Sequence, residues 1–264
     1  MNGFETLELD LQKGVGIIWL NRPKVRNAFN DQMIEELSLA LGQMESNDNV
    51  RVIVIGGRGS VFCAGADLNH MKKMATYDYG ENLHDSHKLA LLLLQLYTIK
   101  KPTLARVHGH AFAGGMGILS ACDIAIASFN VEFCLSEVRL GLIPATIGPY
   151  VTMAVGERVM RRYMLTAERF SAAEAYRVGL VHEIAPADKL DEKIDDLLTA
   201  IIHNGPNSLA ACKDFLRSIA GQSPTKEMSL ATAEKIAQVR SSEEGKEGIN
   251  SFLEKRAPSW ISVE

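Results

Sequence analysis

Short runs of β-branched and apolar residues alternate, along the amino-terminal part of the chain, with stretches whose apolar residues recur every three or four places. This alternation restricts the fold more than any other feature, because a strand, a crossover helix and a second strand in succession pair in parallel. Val15–Leu20 is the first such strand, and residues 4–11 with the turn signal Gly14-Val15-Gly16 make a β-hairpin with it. Met33, Ile34, Leu37, Leu41 and Met44 then mark a helix over residues 30–44, with Asn30 or Asp31 as its N-cap. The β-branched run 50–55, closed by Gly56-Gly57, reads as a buried strand and completes a strand–helix–strand unit.

The pattern repeats. Residues 76–87 are polar, 89–97 read as a buried helix, Thr103–Val107 as a strand, 118–122 as a helix and 123–127 as another strand. Residues 132–135 and a turn around Gly141 and Pro144 lead to apolar helices at 147–155 and 158–165. Beyond Thr166 the chain reads as helical, at 172–178, 187–204, 208–221 and 229–255. The expectation is an α/β core over residues 1–200 and a helical carboxy-terminal region over residues 201–264. The latter has too few apolar residues to stand alone, so it should pack on the core or on a neighbouring subunit.

With 28 Lys and Arg against 32 Asp and Glu the net charge is −4, so no global field draws the chain to phosphate-rich polymers. No basic stripe with interleaved aromatics stands out either, and no nucleic-acid partner is expected. The longest apolar run, around residues 89–97, falls far short of the roughly 20 residues that cross a bilayer. The first ten residues have neither the basic nor the apolar segment of a secretory leader. Cys63, Cys122, Cys134 and Cys212 are widely spaced and form no CxxC pair, which points to reduced thiols and a cytoplasmic setting.

Two small-residue loops follow strands: Gly65-Ala66-Asp67-Leu68 and Gly114-Gly115-Met116-Gly117. Each either makes a tight strand-to-helix turn or aims backbone N–H groups at an anion, and two converging donors would hold an enolate oxygen. GxGxxG, GxxxxGK[ST] and GxSxG are all absent, so nicotinamide, P-loop and serine-hydrolase chemistry lack their motifs. His108-x-His110 and His84-x-x-His87 come without an HExxH or a cysteine cluster, and no metal is expected. Glu137 stands in the mostly apolar stretch 133–144. It is either a proton carrier with a raised pKa or the partner of nearby Arg139.

Several landmarks, in order and spacing, resemble the enoyl-CoA hydratase/isomerase (crotonase) superfamily over nearly the whole chain. They are Leu20-Asn21-Arg22-Pro23-Lys24, Phe62-Cys63-Ala64-Gly65-Ala66-Asp67-Leu68, Val107-His108-Gly109-His110-Ala111-Phe112-Ala113-Gly114-Gly115, Cys122-Asp123, and Leu135-Ser136-Glu137 with Gly141-Leu142-Ile143-Pro144. More narrowly, residues 133–144 and Ala167-Glu168-Arg169-Phe170 are similar to the bacterial methylglutaconyl-CoA and isohexenylglutaconyl-CoA hydratases.

The resemblance implies a spiral of ββα units, with a helical carboxy-terminal region that builds trimers and often hexamers of two trimers. It implies an acyl-CoA substrate, with coenzyme A as part of the thioester and no separate cofactor. The thioester oxygen would be held by the N–H groups of Ala66 and Gly114. Ala64, Asp67 and Leu68 would lie near the adenine end of coenzyme A, and Lys24 and Arg26 near its phosphates. Ordinary hydratases carry two glutamates; the first aligns with Gly117, and only the second, Glu137, is present. One glutamate is also what an enoyl-CoA isomerase needs to shuttle a proton between two carbons. The resemblance therefore leaves three readings: hydration of a branched, carboxylated enoyl-CoA, 3,2-isomerisation, and a binding homologue that has lost catalysis. A distal carboxylate on the acyl group would need a cation, with Arg139, Lys72, Lys73 or a neighbouring subunit's tail as candidates.

Overall fold

The computed structural model describes residues 3–261. β1 (Leu7–Gln12) and β2 (Val15–Leu20) pair antiparallel with Gln12 opposite Val15. The two turn residues between them, Lys13 and Gly14, both take positive φ (48° and 83°), as a two-residue hairpin with right-twisting strands requires. α1 (Asp31–Ser46) is capped by Asn30, whose side chain accepts from Met33 N–H, and leads to β3 (Val52–Gly57), parallel to β2.

The chain continues through α2 (Leu68–Met74), α3 (Tyr79–Thr98), β4 (Thr103–Val107), β5 (Ala111–Phe112) and α4 (Gly114–Ala121). β6 (Ile124–Ser128), β7 (Glu132–Cys134), α5 (Gly148–Val155), α6 (Glu157–Thr166), β8 (Phe170–Ser171), α7 (Ala172–Arg177) and β9 (Glu183–Ala185) follow. The helices α8 (Leu190–Ile202), α9 (Pro206–Ile219), α10 (Lys226–Ser241) and α11 (Glu243–Leu253) close it.

Two sheets result. One has the order β1-β2-β3-β4-β6-β9, parallel throughout except for β1; the other has β5-β7-β8, with β5 and β7 parallel. β3 shows why the large sheet is covered on both faces. Its side chains alternate, Ile53 and Ile55 joining the main core with α1, α3 and α4, Val52 and Val54 joining Leu190, Ile194 and Leu198 of α8.

Three segments differ from the sequence expectation. α3 starts at Tyr79, so the polar stretch 76–87 is mostly helix. An Asp78–Glu81 capping box starts it, Asp78 Oδ1 accepting from Glu81 N–H at 2.8 Å and Glu81 Oε2 from Asp78 N–H at 2.9 Å. Polarity there reflects a solvated face, and only Leu92, Leu93 and Leu96 of this helix are buried. β8 and β9 interrupt the region expected to be helical beyond Thr166, because two or three residues suffice to add an edge, β8 to β7 and β9 to β6. Residues 229–255 form two helices, broken at Ser242, whose hydroxyl caps α11 by accepting from Gly245 N–H.

The expected boundary at residue 200 falls inside the last turn of α8, which packs on the sheet. Beyond it, α9 is tied to the core by Lys213, whose ammonium reaches Asp123 Oδ2 at 2.5 Å and Lys101 O at 2.9 Å. Arg51 donates to Trp260 O and Asn204 O, drawing the end of the chain onto β3's neighbourhood.

Candidate active site

The first loop is built around Asn27 and Phe29. Asn27, fully buried, donates to Arg58 O and Val61 O and accepts from Arg22 N–H, which closes the segment before α1 onto the loop after β3. Phe29 N–H donates to Gly65 O at 2.7 Å and Asp67 N–H donates to Phe29 O at 2.8 Å, an isolated parallel bridge centred on Ala66. Successive amides of an extended segment point to opposite sides, so the Ala66 N–H faces away from Phe29. Gly65 holds a φ of +94°, and the Cys63 Sγ accepts from its N–H at 3.4 Å.

The second loop lies against the first. Ala113, at the N-cap of α4, adopts φ 46° and ψ −117°, a sparsely populated conformation for a residue with a Cβ. Its N–H donates to Cys134 O at 2.9 Å. Gly114 opens α4, so its N–H has no intrahelical acceptor and sits at the positive end of the helix. Glycine is required here by contact: a Cβ on Gly65 would lie 3.0 Å from the Ala113 Cβ, and one on Gly114 would lie 2.9 Å from the Phe29 ring. Cys63, fully buried and with its thiol pushed up to about 12 by burial, joins the two loops through Phe112 N–H to Cys63 O at 2.9 Å. The amides of Ala66 and Gly114 are thus carried on touching loops. The pair can stabilise negative charge developing on one oxygen.

Glu137 follows β7 and opens a short 3-10 turn, Glu137–Leu140. β7 pairs with β5, and the Ala113-to-Cys134 bond ties this strand to the loop bearing Gly114. Burial raises the Glu137 carboxyl above its ordinary range, only partly opposed by its own backbone N–H. Its Oε2 is buried and finds no hydrogen-bond partner among the described residues. The alternative of an ion pair with Arg139 does not hold among the described residues: Arg139 donates instead to Ala167 O. A half-buried carboxyl of raised pKa, with one oxygen free of hydrogen-bond partners among the described residues, is suited to taking and returning a proton.

Gly117, one turn into α4, faces Ile147. A Cβ there would lie 2.4 Å from Ile147 Cγ2, so Ile147 occupies the space a second carboxylate would need.

A cleft of about 870 Å³ opens beside the first loop. Lys24, Arg26, Ala64, Ala66, Asp67 and Leu68 all line it, and Lys72 adds a third cation that the sequence had offered only as a partner for an acyl carboxylate. The Asp67 carboxylate is engaged elsewhere: it caps α2 by accepting from Asn69 and His70 N–H and pairs with Arg22 at 2.8 Å. Burial alone would raise its pKa, but these bonds outweigh it and hold the carboxyl low.

The histidines singled out from the sequence are absorbed locally or exposed. His108 Nε2 meets Gly59 O, His110 Nδ1 accepts from Glu132 N–H, and His84 and His87 are exposed on α3. The sequence singles out neither Phe29 nor Ile147, and it offers Cys63 only as a reduced thiol and part of a landmark. Nothing in their local pattern distinguishes them from ordinary core residues, and their roles come from what packs on them.

A family model described as Enoyl-CoA hydratase/isomerase matches residues 10–262. A solved enoyl-CoA hydratase from Shewanella pealeana superposes with a TM-score of 0.95 at 42% identity, covering 97% of this chain and 96% of that one. The 2,3-dehydroadipyl-CoA hydratase of Escherichia coli is 32% identical over 251 residues, 94% of this chain and 96% of its own. The short-chain-enoyl-CoA hydratase of Clostridium acetobutylicum is 30% identical over 255 residues, 94% of both chains. The fold is the one these proteins share, an α/β spiral with a helical carboxy-terminal region.

Proposed function

Because the chain belongs to the enoyl-CoA hydratase/isomerase family, we propose that it adds water across the 2,3 double bond of an enoyl-CoA thioester. The observation that carries this reading is that Ala66 and Gly114 stand on touching loops, while Glu137, whose Oε2 has no hydrogen-bond partner among the described residues, follows the strand tied to the second of them. In this reading the thioester oxygen sits between the two amides, where the N-terminus of α4 adds its partial positive charge to the developing enolate. Glu137, ionised, takes a proton from water as the oxygen bonds to C3, then returns that proton to C2. The sum is H and OH added to one face. Raising the pKa of this carboxyl narrows its gap to both proton partners.

Lys24, Arg26 and Lys72 bring positive charge to the cleft where the phosphates of coenzyme A would lie, and Ala64, Asp67 and Leu68 form the wall for its adenine end. Binding of this constant part then holds the acyl part for reaction. We place a branched, carboxylated acyl group there, of the 3-methylglutaconyl or isohexenylglutaconyl kind, in a cytoplasmic enzyme. Its support is the similarity of residues 133–144 to hydratases of such substrates, and a relative whose name carries a dicarboxylic acyl group.

The second reading, 3,2-isomerisation, draws on Gly117 and Ile147: with no second carboxylate, one proton carrier suffices for moving a double bond. Incubation in ¹⁸O-labelled water with a panel of crotonyl-CoA, 3-methylglutaconyl-CoA and a 3-enoyl-CoA separates the two. Hydration predicts label in the product and a faster rate for the carboxylated substrate. Conversion of the 3-enoyl thioester alone, without label, would replace the reading by isomerisation. Glu137→Gln should lower kcat by about 10³-fold while thioester binding persists; unchanged behaviour would leave only a binding protein.

A further inference from the structure

Asp31 at the start of α1, His70 in α2 and Asp85 in α3 are well separated in the chain, and the fold brings one ligand atom from each within 4.8 Å of the others. The expectation of no metal rested on motifs read along single segments. A trio drawn from three helices has no such motif.

The His70 ring is the informative member, because it is only 7% exposed and a buried polar group normally finds partners for its polar atoms. Its Nε2 meets the Asp85 carboxylate, 3.1 Å from Oδ1 and 3.3 Å from Oδ2. Its Nδ1 faces Asp31 Oδ2 at 3.6 Å, too far for a hydrogen bond, and makes none among the described residues. That separation is close to the span of two ligands on one tetrahedral ion, ~3.4 Å for bonds of about 2.1 Å. An ion between Nδ1 and Asp31 therefore gives both a partner. Asp85 has two oxygens, so one can turn to the ion while the other keeps the Nε2–H and fixes the ring. The Asp31 and Asp85 side chains are 39% and 17% exposed, which leaves them free to rotate inward and close the trio.

The surroundings also suit a cation. A cavity of about 380 Å³ lined by Asp31, Tyr77, Glu81, His84 and Asp85 gives an entry path and room for a water or for His84 as a further ligand. The Tyr77 hydroxyl is pushed up by burial first and then by Asp31, Asp85 and Glu81, so the field of three carboxylates reaches this one corner. Lys88 opposes them from 3.9 Å off Asp31 Oδ1, but Glu35, at 2.8 Å, draws its ammonium the other way. One imidazole with two carboxylates suits a borderline divalent ion of the Zn²⁺ kind, whereas Mg²⁺ and Ca²⁺ favour oxygen alone.

We propose that Asp31, His70 and Asp85 form a site for one divalent transition-metal ion of the Zn²⁺ class, which ties α2 to α1 and α3. The ion is structural and takes no part in the reaction. It bears on the cleft through α2, a helix of only seven residues that carries Leu68, Asn69, Met71 and Lys72 on the cleft wall. So short a helix has little stability of its own, and a clamp on its buried side chain should order it. The site stands whatever the cleft binds.

The test is titration of the chelator-stripped full chain with Zn²⁺, followed by equilibrium dialysis and elemental analysis. One ion per chain should bind with micromolar or tighter affinity, and excess Mg²⁺ should not displace it. Asp31→Asn and Asp85→Asn should each weaken binding at least roughly tenfold, the scale on which even outer-shell losses are felt. Cys212→Ser and His87→Ala, at exposed positions outside the trio, should bind as the wild type does. The Asn variants alter partly exposed helix positions and should fold, which their melting without Zn²⁺ checks. Hydrogen exchange gives a local readout: Zn²⁺ should slow residues 68–74 in the wild type and in neither Asn variant, with β3 unchanged. Absence of a stoichiometric ion, full affinity in both Asn variants, or loss of binding in Cys212→Ser overturns the proposal. Every measurement is made without substrate, so its failure is distinct from failure of the hydratase reading.

Discussion

At Glu137 the requirements of chemistry and of stability oppose each other. Its folded-state pKa is raised by burial, so the fold favours the protonated form. That contribution is fully present below the unfolded pKa and is lost as pH rises through the folded one. Wherever Glu137 is ionised, the protein carries a carboxylate with a buried oxygen that has no hydrogen-bond partner among the described residues. Glu137→Gln, which removes the charge and keeps the shape, should melt at or about 2 °C above the wild type near pH 7. The difference should close as the solution is acidified, where the wild-type side chain is itself neutral. A variant melting below the wild type at neutral pH would mean that the carboxylate has a stabilising partner after all.

At the scale of elements, the missing second glutamate is a packing fact about α4 and α5. Ile147, at the N-cap of α5 and buried, fills the space over Gly117. Gly117→Glu should thus not raise the hydration rate, and should cost about 3 kcal/mol of stability by overpacking and by burying a charge. Pairing it with Ile147→Ala should recover a large part of that loss, a coupling that equilibrium denaturation of the two single variants and the double variant would measure. Simple additivity would show that the two sites do not share the space. Element limits were only partly legible. Asn30 announces α1 by its capping chemistry, whereas α3 hides its first turns behind polar residues, and the Asp78–Glu81 pair is the signal that reveals them.

For the whole molecule, the outer tail is the part its own chain leaves uncovered. α10 runs sixteen residues without one buried side chain, and Leu230, Ile249, Phe252 and Leu253 are exposed on α10 and α11. A helix of that length is marginal in water without tertiary packing. We predict that copies of the chain cover this surface in a trimer: sedimentation should give three times the chain mass, and Phe252→Glu, at a residue 81% exposed, should shift it toward the monomer and lower protection of α10. A wild-type monomer at micromolar concentration would contradict this.

What the sequence by itself determined is everything encoded by near neighbours. The parallel-sheet core follows from periods of two and of three to four. The two amide loops follow from small residues placed after strands, and Glu137 stands out as a lone carboxyl in an apolar stretch. What only the tertiary structure decided is which distant groups meet. Arg139 turns to Ala167 and leaves Glu137 Oε2 without a partner among the described residues, Ile147 seats itself over Gly117, and His70 lands between Asp31 and Asp85. Periodicity and turn chemistry report the conformation of a segment; they carry no information on how two segments are placed against each other, and a buried carboxylate oxygen without a partner, a steric block and a ring between two carboxylates are all properties of that placement.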